Sequence, residues 1–205
     1  MAPWYESLVG WGSFGSIHSL YRAVADALDV SPGATLIEFG CGPGTLTPYL
    51  LKKVGPGGQV IGVDLADEMI ERARRKAEQQ GWHNARFERC CVHEYAPGSL
   101  VQGAVFSLAL SAMPDVPGCL EKALAVLEPG GSLAILDSFP DRSRPWANWI
   151  VHLKAPLVGA VPTLLPRQFV AERMQDVRST TLWGGVYGVL SARKPLTSGS
   201  RTAAQ

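Results

Sequence analysis

One glycine-rich segment constrains the fold of this chain more than any other feature. An apolar run over residues 34–39 leads directly into Gly40-Cys41-Gly42-Pro43-Gly44, and a stretch of helical spacing follows. Glycines adopt backbone torsions that other residues avoid, and they lack the Cβ atoms that would keep a ligand away from the main chain. The segment therefore predicts a strand, a tight loop and a helix, with the loop backbone as a binding surface.

The spacing of the glycines and a neighbouring acid indicate which ligand the loop holds. A dinucleotide-binding loop usually has its third glycine three residues after the second, whereas Gly44 follows Gly42 by two. Glu38 lies two residues before Gly40, where a carboxylate favours a cationic ligand and opposes a phosphate. S-adenosylmethionine carries an ammonium and a sulfonium but no phosphate, so the loop favours it over a dinucleotide.

A second acid, Asp64, ends the next apolar run and is expected at the same edge of the sheet. A carboxylate at a strand tip can accept hydrogen bonds from both hydroxyls of a ribose. Leu65 and Met69 would then lie near the adenine, although Met69 also suits a core position. The alternative is that residues 40–44 form a purely structural turn and that Asp64 caps the following helix. The joint occurrence of the loop and both acids favours the cofactor interpretation.

The alternation of short apolar runs with helical segments predicts an α/β fold with a doubly wound, parallel sheet. Five strands are predicted at residues 34–39, 59–63, 86–90, 104–110 and 132–136, and a hairpin at 177–183 and 186–193. The predicted helices start near residue 46, at 66–80, at 146–161 with a break near Pro156, and at 167–175.

We expect a single domain over residues 1–195 and a flexible tail over 196–205. Within it, residues 1–30 are predicted to form an N-terminal helical lid, and 138–175 helices on the acceptor side. The lid would combine apolar side chains from both segments: Trp4, Tyr5, Trp11, Phe14, Trp146, Trp149, Ile150, Leu153 and Leu157. Ordinary core packing is the alternative for these residues.

Composition excludes several classes of protein. Hydrophobic residues make up 46%, charged residues 18% and the net charge is +1, which argues against a nucleic-acid partner. No export signal and no uninterrupted apolar span are visible. The four cysteines form no disulfide framework, which predicts a reduced, cytoplasmic setting, and the spacing of Cys90, Cys91 and His93 does not suit a metal site.

Three motifs together resemble the class I S-adenosylmethionine-dependent methyltransferase superfamily. They are Glu38-Phe-Gly-Cys-Gly-Pro-Gly44, Val63-Asp64 and Leu127-Glu-Pro-Gly-Gly-Ser-Leu133. The resemblance implies a Rossmann-like, mostly parallel seven-stranded sheet whose last two strands form an antiparallel C-terminal hairpin. The segments His18-Ser-Leu-Tyr-Arg22, Thr45-Leu-Thr47 and Asp64-Leu-Ala-Asp-Glu-Met-Ile70 are most similar to the ubiquinone/menaquinone-biosynthesis methyltransferases, with phosphatidylethanolamine N-methyltransferases also similar.

The resemblance also implies roles for individual residues. The turn after the third strand, here Cys91 and Val92, would contact the adenine, and Ser111 matches a position that lines the cofactor site. The family often has Asp or Asn where Cys91 stands, and Phe-Asp where this chain has Phe106-Ser107. The complete predicted cofactor set is Glu38, Gly40, Cys41, Gly42, Gly44, Thr45, Asp64, Leu65, Met69, Cys91, Val92 and Ser111.

The expected function is methyl transfer to a small, largely apolar acceptor such as a quinol, a phenol or another aromatic. A phospholipid or small-amine N-methyltransferase is the alternative within the class, and peripheral membrane contact would fit either. A nicotinamide or nucleotide-sugar enzyme and a catalytically silent cofactor-binding or scaffold protein are the alternatives outside it. Candidate acid–base residues are His93, Asp115, Asp137 and His152, each of which also suits a surface or structural role.

Overall fold

The computed structural model describes residues 17–139, 145–154, 161 and 164–196, and within them seven strands form one sheet. The strands are β1 Thr35–Phe39, β2 Gln59–Asp64, β3 Ala85–Arg89, β4 Val101–Ser107, β5 Leu127–Asp137, β6 Gln175–Leu182 and β7 Tyr187–Arg193. Their order is β3-β2-β1-β4-β5-β7-β6. Strands β1 to β5 are parallel, and β7 is antiparallel to both β5 and β6. The predicted doubly wound sheet with a C-terminal hairpin is confirmed.

Six α-helices lie in the part of the chain that the structure describes. They are α1 Ile17–Ala27, α2 Thr47–Val54, α3 Asp67–Gln80, α4 Val116–Val126, α5 Pro145–Lys154 and α6 Leu165–Arg173. Helix α3 shows why such segments are helical: Asp67 and Glu68 in its first turn complement the helix dipole, and Gly81 ends it at φ +65°. No described helix is both long and apolar enough to cross a membrane.

The helices cover both faces of the sheet. On one face, apolar side chains of α1 and α2 pack on alternate residues of the central strands: Leu20, Val24, Leu50 and Val54 against Leu36, Val60, Val105 and Leu136. On the other face, α4 and α6 supply Leu120, Val126 and Val170 against Ile37, Phe106 and Ile135. Burial on both faces explains why these strands are continuous apolar runs in the sequence.

The parallel strands β1 to β5 bring their carboxyl ends to one edge of the sheet. Strand order reverses between β1 and β4, and such a reversal opens a crevice at the carboxyl ends of the strands. The loops after β1, β2, β3, β4 and β5 all lie at this edge, as does the turn between β6 and β7. We call it the carboxyl edge.

Two strand boundaries were predicted incorrectly. The fourth strand was predicted at residues 104–110, but β4 covers Val101–Ser107. Leu108 adopts φ +54° and the chain then forms a 3₁₀ turn over Leu110–Ala112, so Leu110 is buried in a turn instead of a strand. The fifth strand, predicted at 132–136, already begins at Leu127, with an irregular register between its first contact and Ser132.

The helix predicted at 146–161 is described only as α5, because residues 155–160 lie outside the described part. The predicted lid residues Trp4, Tyr5, Trp11, Phe14 and Leu157, and the predicted tail after Leu196, also lie outside it. Of the predicted N-terminal lid, residues 17–27 form α1, which packs on the sheet face. The helix predicted at 167–175 begins two residues earlier, at Leu165.

Candidate cofactor and acceptor site

The glycine loop after β1 has the backbone that its sequence predicted. Gly40, Gly42 and Gly44 adopt φ values of +68°, +51° and +71°, a region that side chains rarely enter. A Cβ atom on Gly40 would lie 2.6 Å from the Cβ of Ala109, so this glycine permits close packing of two loops. A Cβ on Gly42 would meet nothing within 4 Å. The loop is therefore packed at Gly40 and open at Gly42.

Asp64 holds the glycine loop to the tip of β2. Its Oδ2 accepts a hydrogen bond of 2.8 Å from the Gly42 N–H, and its Oδ1 accepts one of 2.9 Å from the Ala66 N–H. The cap residue of α3 is Ala66, which makes no side-chain capping bond. Asp64 thus supports both the loop and the start of the helix, and its partly exposed carboxylate retains lone pairs for further donors.

Glu38 is a buried carboxylate beneath the loop, with 2% of its surface exposed. Its Oε2 lies 3.4 Å from the Thr47 hydroxyl, and no ion pair to Glu38 occurs among the described residues. Burial, reinforced by the negative charge of Asp64, raises the pKa of Glu38 to about 8, against the opposing effects of Thr47 and Lys76. A cationic group brought to this carboxylate would supply the missing positive partner.

Cys41 and Thr45 occupy different environments in the same segment. The Cys41 side chain is buried, its Sγ lies 3.6 Å from the Gly42 carbonyl, and burial raises the pKa of the thiol well above its ordinary value. The Cys41 side chain therefore fills space beneath the loop. Thr45 is half-buried, two residues before the start of α2.

The predicted adenine residues surround the Asp64 tip from two strands. The Cys90 N–H donates to the Asp64 carbonyl at 3.0 Å, which brings the turn of Cys91 and Val92 beside the end of β2. Leu65 is 65% exposed, while Met69 and Cys91 are half-buried and Val92 is buried. Leu65 and the half-buried Met69 and Cys91 thus lie near this strand tip in sequence and topology, and their contact with an adenine stays a prediction.

Ser111 and Asp137, predicted separately, form one hydrogen-bonded unit. Asp137 accepts from the Ser111 N–H at 2.9 Å, from the Ser111 hydroxyl at 2.8 Å and from the Ser138 N–H at 2.7 Å. Burial raises the pKa of the Asp137 carboxyl, and these three donors oppose that shift. The Ser111 carbonyl in turn accepts from the Val161 N–H at 2.8 Å. The unit ties the loop after β4 to the chain segments that follow β5.

His93 and Asp115 also meet. His93 Nε2 lies 3.8 Å from Asp115 Oδ2 and 3.7 Å from Cys119 Sγ, and Asp115 accepts a hydrogen bond from the Gly118 N–H at the start of α4. Burial raises the pKa of the Cys119 thiol to about 11, so it is a thiol at neutral pH. The fourth candidate acid–base residue, His152, is exposed on α5. Among the described residues, no group of three His, Cys, Asp or Glu is arranged to hold a metal ion.

Helix α5 presents an apolar face next to the hairpin turn. The Trp146 ring packs on Gly184, where an added Cβ would lie 2.6 Å away. Val151 is buried with Val186, whereas Trp149 and Leu153 are 68% and 58% exposed. Exposed side chains of this size, at the edge where a ligand is expected, provide an apolar surface for a partner.

Two residues at the site did not emerge from the sequence. Thr47 is fully buried and donates to Glu38, and the only signal for it was a hydroxyl residue at the start of a helix directly after the glycine loop. Ala109 packs against Gly40, a contact between residues 69 positions apart that no local pattern reveals.

Comparison with known proteins gives the class to which this fold and site belong. The family described as "Methyltransferase domain" matches residues 30–161, which is more than half of the chain. The chain belongs to this methyltransferase family. It is an S-adenosylmethionine-dependent enzyme, and its cofactor is S-adenosyl-L-methionine.

Individual relatives support the resemblance found in the motifs. The 2-phytyl-1,4-naphtoquinone methyltransferase of Thermosynechococcus vestitus is 33% identical over 159 residues, covering 74% of this chain and 70% of the relative. The nocamycin O-methyltransferase of Saccharothrix syringae is 29% identical over 152 residues, covering 73% of this chain. The chain spans 52% of the length of that second relative.

Solved structures with the same fold have lower sequence identity. A SAM-dependent methyltransferase from Aquifex aeolicus aligns with a TM-score of 0.69 and 20% identity, over 92% of this chain and 97% of that one. A geranyl diphosphate C-methyltransferase from Streptomyces coelicolor A3(2) aligns with a TM-score of 0.73 and 14% identity, over 94% and 86%. These likenesses confirm the fold.

Proposed function

We propose that the cofactor lies across the carboxyl edge between Glu38 and Asp64. Glu38 faces the ammonium-bearing aminoacyl end, directly or through water, and Asp64 accepts hydrogen bonds from the ribose hydroxyls. The observation that carries this proposal is a buried carboxylate without an ion-pair partner beneath a glycine loop that is open at Gly42. The remaining contacts are assigned to Gly40, Cys41, Gly44 and Thr45 in the loop, Leu65, Met69, Cys91 and Val92 near the adenine, and Ser111.

The chain's own contribution to methyl transfer is positioning. The bound cofactor supplies a methyl group that is already a reactive electrophile. The residues of the carboxyl edge orient it, and the apolar side chains of α5 exclude water and hold the acceptor in line. His93 with Asp115, Asp137 with Ser111, and His152 remain the proposed sources of a base for acceptors that need one.

We propose a small, largely apolar acceptor, such as a quinol, a phenol or another aromatic. The exposed apolar face of α5, with Trp146, Trp149 and Leu153, supports this choice. The naphtoquinone named for the Thermosynechococcus vestitus relative also supports it. The same apolar face would allow peripheral contact with lipid during delivery of such an acceptor.

Turnover with a panel of acceptors tests this proposal. The full chain is incubated with S-adenosylmethionine labelled in its methyl group and with matched quinols, phenols and primary amines, and the labelled products are extracted. We expect label in the quinols and phenols. Label only in the amines or phospholipids would favour the alternative acceptor class, and no label in any acceptor would favour a silent cofactor-binding protein.

Replacement of Gly42 by alanine separates ligand contact from backbone strain. Gly42 at φ +51° and Gly81 at φ +65° both favour glycine, and neither has an atom closer than 3.8 Å to an added Cβ. Each alanine variant should lose roughly 1–2 kcal/mol of stability from backbone strain. Only Gly42→Ala should also weaken cofactor binding, by about tenfold or more, because its Cβ enters the ligand space. Titration calorimetry checks this, and equal affinities of the two variants would contradict it.

A further inference from the structure

Arg167 on α6 has no hydrogen-bond or ion-pair partner among the residues that the structure describes. Its Nε atom is buried and makes no hydrogen bond, and its guanidinium forms no ion pair with any residue that the structure describes. The guanidinium carbon lies 5.1 Å from the centre of the Phe139 ring, which provides a stacking surface. A buried donor without an acceptor is unfavourable, so this position favours binding of an anion.

The position of Arg167 is on the acceptor side of the carboxyl edge. Phe139, on which it stacks, follows Asp137 by two residues at the end of β5. The segment that leads into α6 returns to the same edge, where the Val161 N–H donates to the Ser111 carbonyl. Arg167 therefore lies against the chain that leaves the carboxyl end of β5, two residues after Asp137.

The place of Arg167 on helix α6 is unfavourable for a positive charge. Arg167 lies in the first turn of α6, where the helix dipole is positive and disfavours a cation. This turn contains no acidic residue, and the cap residue Leu164 makes no side-chain capping bond. The dipole and the Nε atom without an acceptor both favour a negatively charged ligand here, and the Phe139 ring fixes the position of the guanidinium.

A second arginine on the same helix shows the ordinary arrangement. Arg173 also stacks on an aromatic ring, with 5.4 Å between its guanidinium carbon and the centre of Phe169. Arg173, however, lies in the last turn, where the dipole favours a cation, and it pairs with Glu121 at 2.6 Å. An arginine of this helix can therefore stack on an aromatic ring and still pair with a carboxylate, which Arg167 does not do with any described residue.

We propose that Arg167 binds a negatively charged oxygen of the methyl acceptor, which makes the acceptor a phenolate-type arene rather than an amine. This inference rests on the proposed function. Arg167 would favour loss of the phenol proton to water, and the phenolate oxygen would then form the new bond to the methyl group. The bond from methyl to sulfur breaks with its electron pair retained by sulfur. A cationic amine would be repelled from the same position.

Titration of a bound chromophore tests the role of Arg167 without turnover. The probe is 4-nitro-1-naphthol, whose neutral and anionic forms absorb at different wavelengths, added to the full chain saturated with S-adenosylhomocysteine. The wild-type protein should lower the pKa of the bound probe by about one unit, a tenfold change in the ionisation constant. Arg167→Met should abolish the shift, and Arg167→Lys should retain part of it.

The matched control is Arg173→Met, which removes a stacked arginine from the same helix and should leave the shift intact. The far-ultraviolet circular dichroism and the S-adenosylhomocysteine affinity of each variant show that it is folded. An unshifted pKa in the wild-type protein, failure of the probe to bind it, or equal shifts in the wild-type and Arg167→Met proteins would each overturn the inference. Failure of the proposed function is separately visible, as absence of methyl transfer to any phenol or quinol.

Discussion

Replacing Glu38 with glutamine should stabilise the cofactor-free protein above neutral pH while weakening its hold on the cofactor. Burial raises the pKa of Glu38 to about 8 in the folded protein, from an ordinary value of 4.5. The folded state therefore binds the proton more tightly than the unfolded state. The resulting stability is fully present below pH 4.5 and is lost as pH rises through about 8. Glutamine has no proton to lose and removes this dependence.

Thermal unfolding across pH checks the first half of this prediction. The melting temperatures of the wild-type and Glu38→Gln proteins should be similar near pH 5. At pH 8.5 the variant should be more stable by at least ~1 kcal/mol, which is ~2–4 °C for a chain of this size. Glu88→Gln, a substitution of a partly exposed glutamate on β3 that pairs with Arg86, should follow the wild-type curve. A melting temperature for Glu38→Gln that falls with the wild-type curve would contradict the assignment.

Glu38 should also affect the binding of the cofactor. A cofactor with an ammonium group favours the ionised form of Glu38, so binding near pH 7 should release a proton from this carboxyl. Calorimetry in two buffers of different ionisation heat measures that release. Glu38→Gln should release fewer protons than the wild-type protein and should bind about 10- to 100-fold more weakly, the range for a lost hydrogen bond to a charged group. Equal proton release in both proteins would exclude Glu38 from the site.

Removing the Asp64 carboxylate should also lower the affinity for the cofactor strongly. Asp64→Ala loses the proposed ribose contacts and also releases the Gly42 N–H that holds the loop in place. We expect cofactor affinity to fall by about 1–3 kcal/mol, or roughly 5- to 150-fold. Asp67→Ala is the control, because Asp67 begins the same helix and pairs with Arg89 at the surface. Calorimetric titration with S-adenosylmethionine measures both, and an unchanged affinity in Asp64→Ala would remove Asp64 from the site.

The loop geometry on which the proposed cofactor site rests could be predicted from sequence because its information is local. Gly40, Gly42 and Gly44 require their special torsions within one short loop, and Glu38 precedes them by a fixed offset. Asp64 lies at the tip of the adjacent parallel strand, and parallel strands share an edge by geometry. The hairpin around Gly184 was also predicted correctly, because two glycines separate two strand-like runs.

The features that failed or were missed depend on contacts between distant residues. The end of β4 was misplaced because Leu108 and Leu110 are as apolar as strand residues, and only their packing shows that they form a turn. The high pKa of Glu38 depends on its complete burial, which spacing does not reveal. Arg167 is unusual only because Phe139, 28 residues earlier, lies against it and because α6 begins at Leu165.

The most direct test of the account is a crystal structure of the protein soaked with S-adenosylhomocysteine. We expect its ribose hydroxyls within hydrogen-bonding distance of the Asp64 carboxylate and its amino group at the glycine loop, facing Glu38 directly or through one water molecule. Density for the ligand at any other position, or a carboxyl edge closed to it by the protein's own side chains, would contradict the account.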